Sequence, residues 1–212
     1  SYNIWDDLID IVAIIDHLQW KKFNLIGHSR GGVVALLLSV VRPDLIDKII
    51  LLDSILSSND NNKDAPDTLK HYLKDQKNLF KKQKKIYNNM DEMISMRLSK
   101  MSVKKEDITH MMLRSIDTLG KNKYIWNHDP RIIGSSAFKL HSVHVIEFLE
   151  KFNTSTLLIK SKNGILKKTN TKIFEMKKNV QSIFHEGSHH MHLELDKVKS
   201  IANIIKDFTN DH

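Results

Sequence analysis

The sequence contains no cysteine, which excludes disulfides, thiolate metal sites and a cysteine nucleophile. That absence fits a reducing compartment, and an intracellular location, cytoplasmic or peroxisomal, is expected. Glycine and proline are scarce, seven and three in 212 residues, so linker-like and collagen-like readings fail. Long hydrophobic runs are also missing. The longest, Val33 to Val41, is broken by Ser39 and is far shorter than the roughly 20 residues of a membrane span. The start, SYNIWDD, lacks the basic n-region and apolar core of a signal peptide.

What is present is a soluble, core-forming composition with 41% hydrophobic and 27% charged residues. The formal net charge of +8 raises the question of a nucleic-acid partner. No nucleic-acid signature accompanies it, so the charge is read as lysines spread over a solvated surface, and no such partner is expected. Oligomeric state is not legible.

The first residues already carry a helical pattern, with Trp5, Leu8, Ile9, Val12, Ile15 and Leu18 at helical spacing. A short buried strand follows at Phe23–Ile26, then the glycine cluster GHSRGG, then a helix from Val33 to Val41 ending before Pro43. Ile49–Leu52 is a fully apolar strand, and strand, helix, strand within about thirty residues is the unit from which parallel sheets are built. From Ser57 the character changes. SSNDNNKDAPD reads as a polar loop. Beyond it Leu69, Tyr72, Leu73, Gln76, Leu79, Phe80, Ile86 and Tyr87 form one helical face, with further helical patches at 90–98 and 108–119. The sheet pattern returns with a helix at 141–152, strands at 156–160 and 179–187, and a final helix bearing Val198, Ile201, Ile204, Ile205 and Phe208. Three parts are therefore expected: an α/β core over 1–56, a helical cap over 57–122, and the rest of the core over 123–212.

Gly27-His28-Ser29-Arg30-Gly31 matches the G-x-S-x-G nucleophile elbow, with a strand before it and a helix after it. A sharp turn there lifts Ser29 Oγ above the sheet, and small residues at 27 and 31 let strand and helix approach. The helix N-terminus and the Arg30 N–H favour negative charge beside the serine. The alternative is an ordinary strand-to-helix turn. A serine hydroxyl needs a base, and HEGSHHMHLE, with four histidines in eight residues, offers one between the last strand and the last helix. A metal site is the other reading of those histidines. No carboxylates at persuasive spacing accompany them.

With these stretches the chain resembles the α/β-hydrolase fold superfamily, most closely the serine hydrolase-like proteins and their bacterial relatives. The resemblance runs in order through NLIGHSRGGVVALLLSVVRPDLIDKIILLDS, WNHDPRIIGSSAFKL, TLLIKSKNGIL and HEGSHHMHLELDKV. It implies a mostly parallel sheet with a helical cap, and a serine hydrolase acting on an ester, thioester or similar small-molecule acyl substrate without a cofactor. Ser29 would be the nucleophile, His189 the base, with His190 the competing choice, and the Arg30 N–H an oxyanion donor. His28, Trp126 and His190 would face the substrate, although Trp126, with His128 and Arg131, can equally brace the cap. Many relatives carry an acid after the strand matched by TLLIK, where this chain has Asn163 and Gly164. Some branches place it one strand earlier, at Asp53, which can also be read as a loop or capping residue. The resemblance further implies that four strands and a second oxyanion donor precede the matched region. The sequence is thus expected to be the C-terminal part of the fold, poorly soluble and inactive by itself. The competing class is a truncated, non-catalytic hydrolase-like protein.

Overall fold

A computed structural model of the chain describes residues 2–58 and 65–210. Helix α1 (Ile4–Leu18) opens behind Asn3, whose N–H donates to the Asp6 carboxylate at 3.0 Å. It packs through Ile4, Leu8, Ile11, Val12 and Ile15, while Trp5, Ile9 and Leu18 are exposed. The expected face is therefore rotated. Strand β1 (Phe23–His28) leads through Ser29 into helix α2 (Arg30–Val41). This helix is apolar nearly all round, so it is buried on all sides, with Val34 through Ser39 sealed from solvent. Strand β2 (Ile46–Leu52) then lies parallel to β1, in register from Leu25 opposite Ile49 to His28 opposite Leu52.

Part of the expected polar loop, residues 59–64, lies outside the described residues. Helix α3 (Ala65–Lys81) turns Thr68, Tyr72, Gln76 and Leu79 inward, and leaves Leu69, Leu73 and Phe80 exposed. Ile86 and Tyr87 do not continue it. Tyr87 is instead buried and exchanges backbone hydrogen bonds with Tyr124 at 2.8 and 2.9 Å. Helix α4 (Met90–Leu98) starts at Asn89, whose side chain accepts from the Asp91 N–H at 2.7 Å, and α5 (Lys105–Ser115) follows. The helix expected to reach Leu119 stops at Ser115. Ile116–Gly120 is strand β3, paired antiparallel with β4 (Lys123–Trp126). The reason is local: Gly120 (φ 145°) and Asn122 (φ 57°) close a hairpin between β-branched and aromatic residues. Met93, Ile94, Met101, Ile108 and Met112 form the core of this segment with Tyr87 and Ile116. The insertion between β2 and the returning sheet is therefore helical with an added hairpin.

A 3₁₀ turn at Pro130–Ile133 and helix α6 (Ser142–Lys151) lead to strand β5 (Ser155–Asn163). A second 3₁₀ turn at Ile165–Lys168, the short helix α7 (Lys172–Glu175), strand β6 (Val180–Ser188) and helix α8 (Val198–Asn210) complete the chain. The four main strands are all parallel, in the order β1-β2-β5-β6. Residues of α1, α2 and α6 share one buried cluster with Ile49, Leu51 and Leu158 on one sheet face. Ile50, Leu52, Leu157 and Ile159 pack with Met191 and Ile201 on the other. This layering brings the C-terminal ends of β1, β2, β5 and β6 together at one rim, where open parallel sheets carry their ligands. Among the described residues no helix is long and apolar enough to cross a membrane.

Candidate active site

Ser29 sits at the pivot with φ 51° and ψ −122°, a conformation that L-residues rarely adopt. The surroundings hold it there. Its N–H donates to the Leu52 carbonyl at 3.3 Å, and its carbonyl accepts from the Ser54 hydroxyl and from the Gly32 N–H. A Cβ at Gly27 would lie 2.5 Å from the Gly31 carbonyl oxygen and from Gly32 Cα, and one at Gly32 would lie 2.5 Å from Ser54 Oγ. The glycines that let strand and helix close are therefore 27 and 32. At Gly31 a Cβ would meet nothing, so the motif's second glycine is not a packing requirement here.

Arg30 is the first residue of α2, so its N–H is among those without a partner inside the helix. Its guanidinium turns away and bonds the Asp7 carboxylate and the Tyr2 carbonyl, which clamps α1 to the elbow. The backbone, and not the charge, is what Arg30 can offer to a ligand at Ser29.

Asp53 and His189 meet. His189 Nδ1 lies 2.7 Å from Asp53 Oδ2, with Asp53 fully buried and the His189 side chain 19% exposed. Asp53 follows β2 in the left-handed region at φ 46°, which short acidic side chains tolerate. It also accepts from the Ser161 N–H at 3.1 Å and the Ile165 N–H at 2.8 Å. Burial alone would raise the Asp53 carboxyl pKa. The His189 hydrogen bond, the two N–H donors and the attraction of the imidazole outweigh it and hold the group below its ordinary value. The carboxylate is thus ionised and fixed, and because it can only accept, His189 Nδ1 is the donor of this bond.

The turn after β6 is anchored by residues whose importance the sequence pattern did not reveal. Met191 is completely buried in the cluster beneath β2 and β5, and the Glu194 carboxylate accepts from the Ser188 N–H at 2.7 Å. His189 and His190 are lifted to the rim between these anchors. His28 Nε2 bonds the His189 carbonyl at 2.9 Å, and its ring lies 4.5 Å from that of His189 and 4.1 Å from that of His192. His28, His189, His190 and His192 therefore form one imidazole cluster. Burial and the mutual repulsion of these rings lower His190 and His192 to about 4, and burial lowers His28. Arg97 adds to the repulsion at His190.

Trp126 stands apart from this cluster. With Met96, Met111, Met112, Tyr87 and Arg97 it lines a cavity of about 420 Å³ in the insertion. His128 lines the same cavity, while Arg131 folds back onto Asp129 beside Tyr2.

The neutral imidazoles carry a stability prediction. His190 and His192 bind protons less readily folded, at about 4, than unfolded, at 6.5. Between those values the unfolded chain holds more protons, so stability rises with pH and is lost as pH falls through the window. The melting temperature is expected to drop by several degrees between pH 6.5 and 4.5. The His190→Gln/His192→Gln pair should flatten the slope. A wild-type melting temperature that is level across the window would contradict buried neutral imidazoles.

The alpha/beta hydrolase fold family model matches residues 1–142, which carry the elbow, Asp53 and the insertion. The chain belongs to this family. A serine hydrolase-like protein of Dictyostelium discoideum is 28% identical over 205 residues, covering 89% of this chain and 56% of that protein. A serine hydrolase-like protein of Danio rerio is 23% identical over 214 residues, covering 94% of this chain and 64% of that one. The chain thus spans between half and two thirds of the length of these curated relatives. The crystal structure of a hypothetical protein from Pseudomonas aeruginosa PAO1 superposes with a TM-score of 0.90 at 25% identity, over 100% of this chain and 76% of that one.

Proposed function

We propose that this α/β-hydrolase is a serine hydrolase that cleaves an ester, thioester or similar acyl substrate through an acyl-enzyme. The observation that carries the reading is the Asp53–His189 hydrogen bond at 2.7 Å, at the same sheet rim as a serine held at positive φ. A structural histidine has no need of a fully buried, ionised carboxylate with two further N–H donors. A general base does.

In this reading His189 Nε2 takes the Ser29 hydroxyl proton as Oγ attacks the carbonyl carbon. Negative charge moves to the carbonyl oxygen, beside the Arg30 N–H at the N-terminus of α2, where the helix dipole favours it. Collapse of the tetrahedral adduct breaks the bond to the leaving group, which receives the proton from His189. Water then attacks the acyl-serine with His189 again as base, and Ser29 is regenerated. Asp53 stays ionised throughout and fixes the imidazole. The names of the serine hydrolase-like relatives support the same reaction class. Labelling of the full-length protein with a fluorophosphonate probe tests it, because only an activated serine reacts. Absence of labelling would overturn the reading.

The insertion is assigned as a cap over the acyl-binding region. Its cavity is lined by Met96, Met111, Met112 and Trp126 together with the cationic Lys82, Lys84, Lys85, Lys100 and Arg97, and the Arg97 charge also acts on His190 at the sheet rim. Met side chains adapt to varied apolar shapes, which suits an acyl chain. Trp126→Ala is expected to shift preference toward longer or bulkier acyl groups, changing kcat/KM ratios across a chain-length series by about tenfold. An unchanged ratio would remove Trp126 from the substrate wall and leave it as a brace.

A further inference from the structure

The imidazole cluster is more than a triad needs. One histidine suffices as base, yet ligand-capable nitrogens of His28, His189 and His190 all lie within 4.8 Å of one another. His192 packs against His28 at 4.1 Å between ring centroids, and its buried Nδ1 has no hydrogen-bond partner among the described residues. Nitrogen ligands around a tetrahedral ion stand roughly 3.4 Å apart, given metal–nitrogen bonds of about 2.0–2.1 Å. Small ring movements at a partly exposed rim cover that difference.

We infer that His28, His189 and His190 form a binding site for one borderline divalent transition-metal ion, such as zinc, and that its occupancy switches the hydrolase off.

Two features of a built metal site are already there. His189 donates its Nδ1–H to the buried Asp53 carboxylate, the carboxylate–histidine arrangement that orients a metal-ligating ring and raises its basicity. His28 is held beside it by the His189 carbonyl. The donor set also selects the ion. Imidazoles suit zinc, copper and nickel, whereas magnesium and calcium prefer oxygen ligands, and the three groups gathered here are all imidazoles. The inhibitory consequence, which rests on the hydrolase reading, follows from the lone pair. An ion on His189 Nε2 uses the electrons that would accept the Ser29 proton.

The test uses the full-length protein and cobalt(II) or zinc(II) alone as the probe. Cobalt is expected to bind once per chain with the intense visible bands of a four-coordinate, nitrogen-ligated ion, and magnesium is expected not to compete. His28→Gln and His190→Gln should each weaken cobalt binding by at least about tenfold. His185→Gln should leave it unchanged, because that side chain is engaged with Ser200 outside the cluster. Thermal melts show whether each variant is folded. The wild-type cobalt spectrum stands independently of the variants. Zinc should also suppress fluorophosphonate labelling of Ser29, with chelator restoring it. A pale six-coordinate cobalt spectrum, or full-strength binding in both folded variants, would overturn the site. Bound metal with undiminished labelling would overturn the switch. Failure to label in metal-free buffer would count against the hydrolase reading alone, with the cobalt spectrum still deciding the site.

Discussion

Ser29→Ala is expected to lower hydrolysis of an activated ester by about a millionfold and to abolish fluorophosphonate labelling, while the protein stays folded. The size follows from the division of labour in the proposed mechanism. Arg30 N–H and the end of α2 can polarise a carbonyl, but without Ser29 Oγ there is no covalent intermediate, and His189 and Asp53 have nothing to activate. The fold should hold because the elbow's constraints lie in the backbone and not in the hydroxyl. The Ser29 N–H still reaches the Leu52 carbonyl, and its carbonyl still accepts from Ser54 and Gly32. Gly27 and Gly32 still permit the close approach of β1 and α2. The melting temperature of the variant should therefore lie within a few degrees of the wild type. Retained labelling at another serine would move the nucleophile elsewhere.

The parallel core was legible in the sequence because its signals are local. Ile49–Leu52 is a continuous apolar run, as a strand buried on both faces must be, and Phe23–Ile26 and Thr156–Lys160 are short, mostly apolar runs. All three fall within strands, although β1 is not the buried strand expected, since Asn24 and Ile26 are exposed. The strand-to-helix turn at Ser29 was legible because the glycine cluster separates one apolar segment from another. The hairpin was not. Ile116 and Leu119 continue the helical spacing of Ile108 and Met112, and only the turn chemistry of Gly120 and Asn122 breaks it. The packing of α3 was misread for another reason. Leu69, Leu73 and Phe80 look like a core stripe, but periodicity cannot say whether a face meets a partner. The histidine cluster depends on tertiary placement. His28 and His189 are 161 positions apart, and nothing in either neighbourhood announces that their rings meet. In the sequence Asp53 stayed open between catalytic acid and cap, and its contact with His189 was not legible there. What singles it out is Gly164, far along the chain.

Gly164→Ala is accordingly the second large effect. With φ −94° the backbone at 164 is open to any residue, so conformational freedom is not why glycine stands there. Space is. A Cβ would lie 2.1 Å from Asp53 Oδ2 and 2.5 Å from Asp53 Cγ, inside any tolerable contact. The carboxylate would have to withdraw from the Ile165 N–H at 2.8 Å and from His189 at 2.7 Å. Freed of its acceptor, the His189 ring can take the tautomer with the proton on Nε2, which cannot accept from Ser29. Asp53→Asn, which keeps the shape but removes the charge, is expected to lower kcat by about 10⁴-fold. Gly164→Ala should lose between about 100-fold and that amount, in kcat far more than in KM, because no substrate contact is removed. Both variants should also lose the far-downfield proton resonance expected of a His189 Nδ1–H bonded to a buried carboxylate. That signal is independent of turnover. If Asp53→Asn kept wild-type kcat and the resonance, Asp53 would not be the group that orients the base; if Gly164→Ala alone kept both, position 164 would not be what holds the carboxylate in place.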